Sequence, residues 1–128
     1  MLVHTRNERT FRVTSKYFSV NAMILQGQNG RLRYGITVGK KNAHRSVDRA
    51  LVKRILREAA RKQAPDLVSC LCEQDMGLDV SLRLRVPLKG IPGIEQGVTA
   101  LKQSLHSDVD QLMQALLRRV DKGLRRKE

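Results

Sequence analysis

Between Tyr17 and Leu25 apolar residues fall at every second place, with Phe18, Val20, Ala22 and Ile24 on one side. The alternation returns in Leu32, Tyr34, Ile36 and Val38, and again in Val80, Leu82, Leu84 and Val86 before Pro87. A period of two marks a half-buried strand, so three strands are predicted. Gln26 to Gly30 contains Asn29-Gly30, a strong turn signal, and the first two strands therefore read as a hairpin. After residue 45 the period becomes helical. At about 100° per residue, Val47, Leu51, Val52, Ile55, Leu56 and Ala59 share half of the circumference, a face that needs a core. Ser46 is the predicted N-cap. Pro65 is the predicted end, because a proline pushes the residue before it out of helical geometry. Leu101, Leu105, Val109, Leu112, Leu116 and Val120 predict helix over residues 98–123, as one helix or as two, since Ser107 with Asp108 and Asp110 behind it reads as a fresh N-cap.

Other segments speak less clearly. Residues 6–16 read as a short N-terminal helix around Phe11 and Val13, with the β-branched Val13 and Thr14 arguing against it. Residues 66–77 fit a strand, a helical turn or an ordered loop. Gly90 to Gly97 reads as a loop and residues 123–128 as a frayed tail. With no repeat and no long linker, residues 1–128 are expected to form one α/β (α+β) domain, a small mixed sheet of three to four strands packed against helices.

Charge adds a direction. The chain of 128 residues carries a net +13, very unevenly spread. Residues 1–62 hold fifteen Lys and Arg against three acids, residues 63–96 three against five, and residues 97–128 seven against four. A surface with no electrostatic task intersperses the two signs. Concentrated positive charge attracts phosphate and releases its counterions, so a nucleic acid is the expected partner. On the helix after Ser46, the apolar half is opposed by Arg49, Lys53, Arg54, Arg57 and Arg61.

This segment resembles the protein subunit of bacterial ribonuclease P. Members of that family carry a strand ending in a pattern like GLxVxKK, a short basic loop, and a helix with the signature Arg-Asn-Arg, a Lys-Arg pair and an Arg-Glu pair. Here the strand ends in Gly35-Ile36-Thr37-Val38-Gly39-Lys40-Lys41, and the helix supplies Arg49-Ala50-Leu51, then Val52-Lys53-Arg54 and Arg57-Glu58. The spacing holds without a gap over about 30 residues, and weaker similarity runs from Phe11 to the final helix. Two of the three signature positions differ. Leu51 replaces the second Arg beside Val47 and Ile55. Ala50, between Arg57 and Arg61 on the basic face, replaces an amide able to donate and accept hydrogen bonds.

The resemblance implies three or four strands against helices, with the basic helix in a left-handed crossover between neighbouring parallel strands, although chain geometry in general favours the right-handed form. It implies RNA contacts by Lys40, Lys41, Asn42, Arg45, Arg49, Lys53, Arg54, Arg57 and Arg61. It also implies a cleft for the 5′ leader of precursor tRNA, for which Phe11, Lys16, Phe18, Arg33 and Arg85 are candidates; both Phe residues also suit a core. Ribonuclease P RNA and precursor tRNA are the implied partners, with cleavage done by the RNA and Mg²⁺ bound through it. No catalytic residue and no metal ligand is expected of the protein. Alternatives are a structural RNA-binding protein of ribosomal type, a decayed family copy without processing activity, or a DNA-binding protein using its basic helix.

The remaining chemistry is sparse. The basic half holds only Glu8, Asp48 and Glu58, too few and too scattered for metal-assisted phosphodiester hydrolysis. Glu73, Asp75 and Asp79 read as a solvated acidic loop. His44 stands among cations without a partner, which suits a phosphate or base contact better than proton transfer. Cys70 and Cys72, one residue apart, suit neither a disulfide nor a chelate and are expected as buried or half-buried thiols of a reducing cytoplasm. No apolar run approaches the ~18 residues of a membrane span, and Met1 to Arg12 lacks the apolar centre of a secretory signal. Neither a membrane nor a small-molecule substrate is expected.

Overall fold

In the computed structural model residues 9–91 and 97–127 are described. They form β1 (Arg9–Thr14), β2 (Phe18–Gln26), β3 (Leu32–Thr37), α1 (Ser46–Glu73), β4 (Met76–Leu84), a single 3₁₀ turn at Leu88–Gly90, and α2 (Val98–Lys127). The four strands make one mixed sheet in the order β1-β2-β4-β3. β2 is antiparallel to β1 and to β4, and β3 lies parallel to β4 with α1 as the crossover between them. One sheet face is apolar and carries the helices, α1 against β3 and β4, α2 against β2 and β1. Phe18, Val20, Ala22 and Ile24 of β2, and Leu78, Val80, Leu82 and Leu84 of β4, fill the core between sheet and helices.

The expected hairpin does not form. The Asn-Gly turn itself is real: Asn29 and Gly30 both take positive φ, 44° and 83°, and the Arg31 N–H donates to the Gln28 carbonyl at 3.0 Å. Its strands are held apart by β4. The N–H of Gly27 donates to Asp75 O at 2.8 Å and that of Gly30 to Met76 O at 2.7 Å, so the loop clasps the corner where α1 passes into β4. Gly30 is required there, because a Cβ would strain the left-handed backbone and collide with Cys72 Sγ. Burial decides the order: every second residue of β4 from Met76 to Leu84 is buried, whereas β3 alternates half-buried with exposed. The more apolar strand takes the inner place.

Three further expectations change. Over residues 9–14 the N-terminal segment is strand rather than helix; residues 6–8 lie outside the described residues. Phe11 and Val13 are half-buried while Thr10, Arg12 and Thr14 are exposed, the period of a strand, and the edge of β2 pairs with them. α1 passes through Pro65 to Glu73. Pro65 is exposed, so the Arg61 carbonyl it deprives of a partner faces water. Continuing the helix buries Leu67 and Leu71 completely, offsetting the ~3 kcal/mol cost of an internal proline. Arg45 rather than Ser46 is the N-cap, with no side-chain cap bond. Residues 66–73 are thus helical, and the two cysteines lie on α1, Cys70 half-buried with its Sγ 3.9 Å from Asp121 Oδ1, Cys72 exposed.

α2 is a single helix continuing to Lys127, so Ser107 lies inside it and starts no second helix. Asp108 is 5% exposed and turned toward the sheet. Its carboxylate accepts from Ser15 Oγ at 2.6 Å, from the Lys16 N–H at 3.2 Å and from the Tyr17 N–H at 2.9 Å, fastening the β1–β2 turn to α2. Gln63 of α1 links the helices by donating to the Met113 carbonyl.

Tyr34 shows a different balance. Its hydroxyl is buried with no hydrogen-bond partner among the described residues, and burial pushes its pKa up to about 12. Removing an unsatisfied polar group costs nothing. Tyr34→Phe is therefore expected to leave the urea midpoint unchanged or raise it; a loss above about 1 kcal/mol would reveal a partner for the hydroxyl.

Candidate nucleic-acid interface

Two surfaces follow from this architecture. The first is the outer side of α1 with the loop before it. The sheet and α2 claim the face bearing Val52, Ile55, Leu56, Ala59, Ala60, Gln63, Leu67 and Leu71, so the opposite side meets solvent. Arg54, Arg57 and Arg61 are exposed there. Spacings of three and four place them as neighbours, with Cβ atoms about 5–6 Å apart. Among the described residues, none of these three forms an ion pair with a carboxylate. Lys40 and Lys41 are likewise exposed and unpaired in the turn closed by Asn42 N–H and Ala43 N–H donating to Gly39 O.

Other members of the basic set have structural ties. Arg49 donates to the carbonyls of Ala43 and His44 at 3.0 and 2.8 Å, pinning the loop to the helix. Asn42 donates through Nδ2 to Leu84 O at 3.0 Å, stapling the loop to the end of β4. Arg45 lies 3.8 Å from Asp48, and Lys53 is half-buried. Substituting Arg49 would therefore disturb the loop as well as remove a charge. Val47, expected on the buried face, is 57% exposed.

The second surface is the sheet face that carries no helix. A groove of about 620 Å³ crosses it, lined by Thr10 and Arg12 of β1, Asn21 and Met23 of β2, Asp79 and Ser81 of β4, and Arg33 of β3. Arg33 Nε and Nη2 each donate to one oxygen of Asp79 at 2.9 Å. These hydrogen bonds hold the Asp79 carboxyl below its usual range, against partial desolvation, and raise the guanidinium's already high pKa. With the carboxyl pKa lowered, the pair persists at neutral pH and is lost only in acid. Asp79 is therefore a strand residue in a groove, not part of a solvated loop.

Of the five leader-cleft candidates, Arg33 and Phe11 line this groove. Phe18 is fully buried in the core and offers no ring to a base. Phe11 pairs with Ala22 on the helix side of the sheet, and Arg119 of α2 sits 4.9 Å above its ring. Arg85 donates to the Ser15 and Lys16 carbonyls at 2.7 and 3.1 Å, and Lys16 lies at the same β1–β2 turn. Thr10, Arg12, Asn21, Met23 and Ser81 were missed. The signal for Asn21 and Met23 was present, because once Val20, Ala22 and Ile24 point inward their neighbours must point out.

The sequence profile of the ribonuclease P family matches residues 4–121. The chain belongs to the ribonuclease P family. No individually curated protein matches significantly. Among solved structures, a Staphylococcus aureus RNase P protein, described as a mutant with defective mRNA degradation activity, superimposes with a TM-score of 0.54 at 15% identity, covering 84% of this chain and 75% of that one. The RNase P protein from Thermotoga maritima superimposes with a TM-score of 0.49 at 19% identity, covering 88% of each chain. The fold is thus the ribonuclease P protein fold, and the chain is a ribonuclease P protein subunit, working with ribonuclease P RNA in an endoribonuclease complex. Among the described residues, no helix is long and apolar enough to cross a membrane.

Proposed function

We propose that this ribonuclease P subunit grips the catalytic RNA with Lys40, Lys41, Arg54, Arg57 and Arg61, and holds the single-stranded 5′ leader of precursor tRNA in the open sheet groove. The observation that carries the reading is the row of exposed arginines on α1, which have no carboxylate partners among the described residues. Neutralising phosphates lowers the repulsion between two polyanions, so catalytic RNA and substrate assemble at lower Mg²⁺. In the groove, Arg12 and Arg33 follow a backbone while Asn21 and Ser81 offer hydrogen bonds to base edges.

Phosphodiester cleavage is assigned to the RNA subunit. A protein-held Mg²⁺ needs several oxygen ligands together, and among the described residues no three His, Cys, Asp or Glu side chains gather. Asp79, the acid in the groove, is committed to Arg33. Mg²⁺ held by the RNA would supply the activated water and the charge stabilisation. A cytoplasmic site of action belongs to the same proposal.

Reconstitution with a ribonuclease P RNA tests this reading. The protein is expected to raise precursor tRNA cleavage at low Mg²⁺, and its RNA affinity to fall steeply between about 50 and 500 mM salt. A flat salt titration overturns the electrostatic mechanism. RNA binding without any gain in cleavage supports a structural RNA-binding protein or a copy that has lost processing.

A further inference from the structure

Val47 is a large apolar side chain left 57% exposed on a helix whose Val, Leu and Ile residues are otherwise buried or half-buried. It does not stand alone. With Ala50 and Leu51 it lines a cleft of about 400 Å³ between the first turns of α1 and α2, and Arg45, Arg54 and Lys102 line the same cleft. One acid, Asp48, accompanies the three cations, and it lies 3.8 Å from Arg45. The ligand this describes has a flat, weakly polar body and an anionic frame. A nucleotide has that form. Duplex RNA would offer the phosphates without the base face, and an apolar protein surface would leave the cations unanswered.

We infer that this cleft receives one unstacked nucleobase of the ribonuclease P RNA, laid on Val47, Ala50 and Leu51, with its flanking phosphates on Arg45, Arg54 and Lys102. This rests on the proposal that the outer side of α1 binds that RNA. Arg54 belongs to both the arginine row and the cleft, so the two contacts are continuous. Ala50 and Leu51 stand where the family signature has Asn and Arg, so a polar contact is exchanged for an apolar one. Contact through the face of a base tolerates any sequence, and charge fixes the strand's path.

The test measures binding of a ribonuclease P RNA transcript across a salt series for the wild type, Val47→Ser and Val47→Phe, with thermal unfolding as the check on folding. Both substitutions are on an exposed helical position of modest propensity cost. Val47→Ser is expected to weaken binding by about five- to tenfold at every salt concentration. The slope of log affinity against log salt stays unchanged, because no phosphate contact is removed. Val47→Phe, a broader platform, is expected to tighten binding. Wild-type affinity in both variants overturns the inference. So does a change confined to self-association in sedimentation, which would assign the patch to a second copy of the chain. A wild-type protein that prefers this RNA no more than duplex RNA of equal length overturns the RNA reading itself, and the inference with it.

Discussion

Replacing Arg54, Arg57 and Arg61 together by alanine is expected to lower affinity for ribonuclease P RNA by about a hundred- to a thousandfold at low salt. The slope of log affinity against log salt should flatten by about two to three, since each neutralised phosphate contributes roughly 0.7–0.9. Folding should survive. The three side chains are exposed, no described carboxylate pairs with them, and alanine is the best helix former. Arg49→Ala gives the contrast: its guanidinium holds two loop carbonyls, so it should lower stability as well as affinity. Filter binding over a salt series, beside thermal unfolding, separates the two. An unchanged slope in the triple variant would move the RNA contact elsewhere on the protein.

The second large effect is on stability. Asp108→Ala is expected to destabilise the fold by about 3–5 kcal/mol, because hydrogen bonds to a buried charge are worth about 1.5–3 kcal/mol each and their donors would be left unsatisfied. For a domain of this size that is a fall in Tm of roughly 10 °C or more. Asp108→Asn keeps the shape and one acceptor oxygen, so it should cost about half as much. Urea unfolding provides the measurement. A cost below about 1 kcal/mol in the alanine variant would mean that water replaces the carboxylate. The same variants should loosen the β1–β2 turn and with it the β1 side of the sheet groove, weakening leader binding while the arginine row is untouched.

What could be read from the chain was mostly what lies within one element. The strands around Val20, Ile36 and Leu82 and the basic face of α1 follow from periods of two and 3.6. Their burial requires no knowledge of neighbours. Partnership was harder. Asn29-Gly30 specified its turn correctly, yet a turn does not choose who pairs with the strands it joins; β4, forty residues later, takes the place by being more apolar. Pro65 was misread because its ring sits on the solvent side, where a missing hydrogen bond is cheap and Leu67 and Leu71 reward continuation. Ser107 with Asp108 behind it resembled a fresh N-cap, since a hydroxyl followed by carboxylates has that local signature, while the donors that Asp108 meets are more than ninety residues away. The groove was hidden for a related reason. β1, β2, β3 and β4 each contribute to its lining, and none of them carries a motif.

The seat occupied by β4 has a consequence for synthesis on the ribosome. A meander can close each strand against the one just made, but here β2 waits for its inner neighbour and β3 has no partner until Met76–Leu84 has emerged. The apolar side of β2 and the underside of α1 stay uncovered through that interval. Assembly is therefore governed by contacts distant in sequence, which favours slow folding, and the cationic helix gains its rigid mounting only after translation has passed well beyond it.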